Sequence, residues 1–185
     1  MQKPMTPLLS LIVPLSLTAG AQKSSAPSEV NRLLATKLPA LGHRNWVVVV
    51  DAAYPLQTSA GIETITVKQD HISAVKDVLS ALGKTKHVRP TIYIDSELKF
   101  INDAFAPGIS TYRKKLNSLL SGKPVQRLPH EDIIAKLDDA GKTFHVLLIK
   151  TPHIQPYTSV FFQLECGYWT GEAEKQLRES MKGKG

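Results

Sequence analysis

The sequence predicts an α/β fold, a largely parallel central sheet flanked by helices, and three observations carry that expectation. Short β-branched or apolar runs alternate along most of the chain with stretches whose apolar residues recur at helical spacing. One of those runs, WVVVV at residues 46–50, contains no polar residue, the pattern of a strand covered on both faces. The 185 residues, 42% of them hydrophobic, suffice for one ordinary core, so a single main domain is expected.

The chain opens on a leader. Lys3 supplies a positive start, residues 8–17 are apolar, and Ala19-Gly20-Ala21 offers small residues for a signal peptidase, so a signal peptide is expected over 1–21. A membrane anchor is the rival reading, but a span needs about 20 apolar residues and Pro14 interrupts this run. No cysteine follows the run to accept a lipid, and with Cys166 alone in the chain no internal disulfide forms. The expected location is the bacterial periplasm or outside the cell, with no stable membrane insertion.

Residues 22–28 read as a flexible linker before a main domain over 29–170. Ser28 caps a helix presenting Val30, Leu33 and Leu34, which Pro39 and Gly42 end. After the valine strand, residues 62–67 suggest a second strand, and Asp70 caps a helix with Ile72, Val75, Val78, Leu79 and Leu82 at helical spacing. Residues 91–94 read as the next strand. Pro107-Gly108 closes the less regular stretch that follows, and Ser110 opens a helix with Tyr112, Leu116, Leu119 and Leu120 apolar. A brief strand at 125–128 leads through Pro129 to a helix over 130–139, stopped by Gly141. Residues 144–149 and 159–164 are two further strands, and 171–185 form a charged helix with a basic tail.

The net charge of +7 falls by one when Lys3 leaves with the leader. Its basic residues are scattered, and the densest patch, Arg178, Lys182 and Lys184, lies in a Gly-rich tail. That is the pattern of a frayed terminus, so no nucleic-acid partner is expected.

In a mainly parallel sheet, functional groups gather beyond the carboxyl ends of the strands. Asp51 follows the valine run at such an end, the TPHIQPY segment at 151–157 follows another, and His130 starts a helix after a third. His43, Asp51, His130, His153 and Tyr157 are therefore the candidates for one pocket. Each also has a plain structural use: His43 as a helix-end residue bonding carbonyls, Asp51 capping a turn, His130 solvated at a helix start, Tyr157 as a core aromatic. No HxxxH or CxxC spacing marks a metal site, and no GxSxG elbow marks a serine hydrolase.

Three segments carry a family resemblance. LGHRNWVVVVDAAYP at 41–55 resembles the Gly-His, apolar strand, Asp-Ala, Pro segment of the ribose pyranase and fucose mutarotase (RbsD/FucU-like) proteins. LPHEDI at 128–133 resembles the segment in which ribose pyranases carry a substrate-contacting histidine. IKTPHIQPYTSV at 149–160 is similar to the family's late strand and loop, which reads Arg, small residue, Gly, Glu, two residues, Pro, Tyr, Ala, Asn.

The resemblance implies an RbsD-like three-layer subunit that assembles as a homopentamer or homodecamer, each site completed by a neighbour. It implies cofactor-free interconversion of the ring forms of a ribose- or fucose-like monosaccharide. Carried over by position, His43 resembles the proton donor, Asp51 and His130 resemble substrate-binding residues, and Tyr157 matches a tyrosine that helps hold the sugar. Ser159, Lys150 and His153 stand at substrate-binding positions where the family has asparagine, arginine and glutamate. The exported location and extended C-terminus mark a divergent member. A non-catalytic sugar-binding or transport-associated protein is the alternative that these three departures leave open.

Overall fold

The computed structural model describes residues 26–182; the expected signal peptide and most of the expected linker lie outside them. The elements in chain order are α1 (Glu29–Lys37), β1 (Trp46–Val50), β2 (Ile62–Thr66), α2 (His71–Lys84), β3 (Val88–Asp95), α3 (Ile109–Leu119), β4 (Val125–Leu128), α4 (His130–Gly141), β5 (Val146–Lys150), β6 (Val160–Cys166) and α5 (Gly171–Lys182). Short 3-10 turns follow α1 and β3. The Ser28 hydroxyl accepts from the Asn31 N–H at 3.1 Å and the Asp70 carboxylate from the Ser73 N–H at 2.9 Å, so both expected caps form.

The six strands form one sheet in the order β2-β5-β1-β6-β3-β4. β1 and β2 both run parallel to β5, β3 runs parallel to β4, and β6 alone is reversed, antiparallel to β1 and β3. The expected largely parallel sheet is thus observed, with its one reversed strand in the interior. That reversal has a functional consequence. The loop from β5 into β6 begins and ends at the edge where the other five strands have their carboxyl ends, so residues 151–159 all lie there.

Helices cover both faces. On one side α1, α2 and α3 pack over Val47, Val49, Ile92, Ile94, Leu147, Ile149 and Phe162; on the other α4 packs over Trp46, Val48, Val50, Tyr93, Leu148 and Phe161. Alternation along β1 sends its side chains to both layers, which is why all five residues are apolar and buried. Burying each valine contributes roughly 1.5–3 kcal/mol.

β3 begins earlier than expected and runs through Pro90. β4 pairs only with its last four residues, so at Pro90 β3 is the sheet edge, where a missing N–H costs little. α5 contributes no buried residue. No helix among the described residues is long and apolar enough to cross a membrane.

Candidate active site

Two groups of polar side chains flank Asp51 at the carboxyl edge. The first is built on the α4 side of the sheet. Asp95 is the last residue of β3, one position past the apolar Ile94, and its side chain is fully buried. His130 is the first residue of α4, delivered there by β4 and Pro129. Its Nδ1 lies 3.1 Å from Asp95 Oδ1, while the Glu97 carboxylate accepts the His130 backbone N–H at 2.9 and 3.2 Å. Tyr157 meets the His130 ring edge-on, with centroids 5.5 Å apart and planes at 90°. Burial pushes the Asp95 carboxyl up to about 6 against the pull of His130, and the Glu97 and Asp51 carboxylates add to the rise. Asp95 Oδ2 is buried with no hydrogen-bond partner.

The second group lies on the α2 side. His71, the first residue of α2, is buried, and its Nδ1 is 3.1 Å from the Tyr112 hydroxyl, which also donates to the Thr158 carbonyl at 3.0 Å. The His153 ring stacks against both, at 5.1 Å from His71 and 4.7 Å from Tyr112 between centroids. Burial, with His153 beside it, pushes the His71 imidazole down to about 3 despite the Val49 carbonyl and Asp70 carboxylate, so this ring is neutral at ordinary pH. Burial likewise lowers His153, against the carboxylates of Asp51 and Asp70. The Nε2 atoms of both histidines are buried without partners. A cleft of about 320 Å³ lined by Lys68, Asp70, His71, Pro152, His153 and Ile154 opens over them.

Of the six buried side-chain polar atoms without partners among the described residues, four (Asp95 Oδ2, His71 Nε2, His153 Nε2 and Gln155 Oε1) therefore lie at one edge of one sheet. Such atoms cost roughly 1–3 kcal/mol each when left unsatisfied, and native proteins keep few of them. Their concentration here is what a site awaiting polar ligand atoms requires.

The residues singled out from sequence fall into two places. Asp51, His130, Lys150, His153, Tyr157 and Ser159 are all at the carboxyl edge. Asp51 Oδ1 accepts the Ala53 N–H at 2.8 Å, the turn-capping use foreseen for it. Lys150 donates to the Tyr54 carbonyl at 2.6 Å, and Ser159 is buried beside the start of β6. Tyr157 is no core aromatic; it is 40% exposed, with its backbone in the left-handed region at φ 55°. His43 does not join them within a subunit. It sits exposed in the turn before β1, where the Gly42 N–H donates to Asn45 Oδ1 at 2.7 Å. β1 lies between it and Asp51, and five extended residues span about 16 Å. The valine strand is therefore a spacer that keeps histidine and aspartate apart rather than one that brings them to a common pocket of one chain.

A cleft of about 470 Å³ also lies at that opposite edge, lined by Arg44, Trp46, Lys136, Phe144 and Gln163 among others. It holds none of the unpartnered buried atoms. Among the described residues no three His, Cys, Asp or Glu side chains converge to hold a metal.

Sequence reasoning missed Asp95, Glu97, His71 and Tyr112. The signal for Asp95 was present: TIYID ends a strand on aspartate as VVVVD does. His71 read as the first turn of a capped helix and Tyr112 as one more apolar position on α3.

Residues 26–167 match the RbsD / FucU transport protein family. Among solved structures, Bacillus subtilis RbsD complexed with D-ribose superposes with a TM-score of 0.51 at 23% identity, over 79% of this chain and 99% of that one. The fucose mutarotase in complex with L-fucose from Streptococcus pneumoniae gives 0.48 at 18% identity, over 70% and 89% of the two chains. FucU from Bifidobacterium longum gives 0.46 at 12%, over 71% and 92%. No curated protein matches the chain significantly. The first of these structures shares the three-layer fold, and since the family match covers well over half of the sequence, the chain belongs to the RbsD / FucU transport protein family.

Proposed function

We propose that the protein is an exported monosaccharide mutarotase or pyranase, acting in the periplasm or outside the cell on a ribose- or fucose-like sugar. The observation that carries this reading is the carboxyl-edge constellation of Asp51, Asp95, His130, His153 and Tyr157 with its unpartnered buried atoms, in a chain of this family. The family match, and the related structure in complex with D-ribose, support a sugar as the ligand.

Ring opening needs one proton delivered to the ring oxygen and one removed from the anomeric hydroxyl, as the bond from the anomeric carbon to the ring oxygen breaks and a carbonyl forms. Reclosure onto the other face changes the anomer; reclosure through another hydroxyl changes ring size. Neither needs a cofactor. General acid-base assistance contributes roughly 10² to 10⁴-fold, enough for a reaction that free sugars already undergo slowly in water. In this reading Asp51, His130 and His153 bind sugar hydroxyls, Tyr157 helps hold the sugar through its ring and backbone, and Lys150 and Ser159 line the site. His43 is the proton donor and comes from a neighbouring subunit of a homopentamer or homodecamer, because its own β1 holds it at the far edge.

A second reading, a sugar-binding or transport-associated protein without catalysis, is favoured by one observation. Lys150, where arginine is the family residue, is already committed to the Tyr54 carbonyl. Saturation-transfer NMR with ribose, fucose and a panel of other monosaccharides decides between them. Exchange between ring or anomeric forms that His43→Ala abolishes establishes the enzyme. Sugar line broadening without exchange establishes the binding protein, and no response to any sugar contradicts both.

A further inference from the structure

We propose that His130 is a catalytic base for the sugar's anomeric hydroxyl and that Asp95 is its positioning residue; this rests on the mutarotase reading above. Two separate carboxylates hold His130: Glu97 takes the backbone N–H, fixing where α4 starts, and Asp95 takes Nδ1, fixing how the ring is turned. An ionised carboxylate only accepts, so Nδ1 carries the proton and Nε2 keeps its lone pair. Among the described residues Nε2 has no hydrogen-bond partner, the side chain is 29% exposed, and the Tyr157 ring packs at right angles to it. A histidine aimed this way takes a proton through Nε2 while the carboxylate behind it stabilises the imidazolium that forms.

Asp95 is hard to explain as structure alone. It ends an apolar strand, its side chain is fully buried, and only one of its two oxygens has a partner. A buried carboxylate with half its hydrogen bonds missing opposes folding, and an apolar residue would serve the strand better. The ionisable groups around it are His130 from α4, Glu97 from the turn after β3, Asp51 and Tyr54 from the loop after β1, and Tyr112 from α3, with Lys99, Arg113 and Arg127 lining a small cavity of about 70 Å³ beside it. Arg113 is engaged by the Leu98 and Ile101 carbonyls, and His130 is the one basic side chain in hydrogen-bond contact with the carboxylate, so that ring is what the carboxylate turns.

The step balances. His130 Nε2 receives the proton of the anomeric hydroxyl as the ring bond breaks and the carbonyl forms. The ring oxygen receives a proton from the donor on the other side, and reclosure returns both.

The test compares the full-length protein with Asp95→Asn and His130→Gln, reading sugar exchange by saturation transfer and the His130 ring by ¹⁵N NMR. Wild type is expected to show the Nδ1–H tautomer. Asp95→Asn is expected to lose the preference for that tautomer and to slow exchange roughly 10- to 100-fold at saturating sugar with little change in KM. Its melting temperature should not fall, which separates positioning from scaffolding. His130→Gln should slow exchange by at least 10²-fold. Exchange in wild type that neither variant slows overturns the roles of His130 and Asp95 and leaves the mutarotase reading standing. Absence of exchange in wild type with every sugar overturns that reading, and the roles with it.

Discussion

Tyr157 is held at φ 55°, a conformation in which a bulky side chain costs roughly 1 kcal/mol or more and which asparagine tolerates better. Its ring is the edge that packs on His130. Tyr157→Asn should therefore keep or slightly raise thermal stability while slowing sugar exchange, and Tyr157→Phe should keep most of both; a melt and an exchange assay on each check this. His71 makes a different prediction. Its imidazole is held at about 3 in the folded chain and titrates near 6.5 when unfolded, so the unfolded state binds the extra proton between those values. Stability from this group is complete above pH 6.5 and is lost as pH falls toward 3, by up to roughly 5 kcal/mol. His71→Phe should flatten that part of the stability curve in denaturant titrations at pH 7, 5.5 and 4; parallel curves for the two proteins would contradict the assignment.

The elements themselves were largely legible. WVVVV, the α2 periodicity behind Asp70 and the Pro129 start of α4 appear where local physics puts them, because covering both faces or one stripe leaves a period in the sequence. The reversal of β6 was not legible, since VFFQLEC reads the same in either direction and only its pairing with β1 and β3 sets its sense. The distance of His43 from Asp51 is likewise a matter of the fold: they are eight positions apart in sequence, and the straight, buried β1 between them sets them at opposite edges. β2, at the sheet edge, shows how closely elements are fitted. A Cβ on Gly61 would meet the Gly141 and Phe144 carbonyl oxygens at 2.3 and 2.5 Å, backbone atoms at the end of α4 and beyond it. Gly61→Ala should cost roughly 1–3 kcal/mol in chemical denaturation through overpacking.

At the scale of the whole molecule, one sheet edge gathers the carboxylates, histidines and unpartnered atoms, and the other holds His43 and Arg44. On the proposed function, a single subunit supplies the sugar pocket, and an assembly in which one subunit's amino edge meets the next subunit's carboxyl edge would supply the missing acid. The proposed function thus requires a site shared between subunits. Its most direct measurement is sugar exchange in hetero-oligomers made by co-expressing His43→Ala and Asp51→Asn chains with different affinity tags. Each variant alone should be inactive. In an evenly mixed ring about a quarter of the junctions pair an intact His43 with an intact Asp51, so exchange should return to about that fraction of wild type. Hetero-oligomers as inactive as their parents would contradict the shared site.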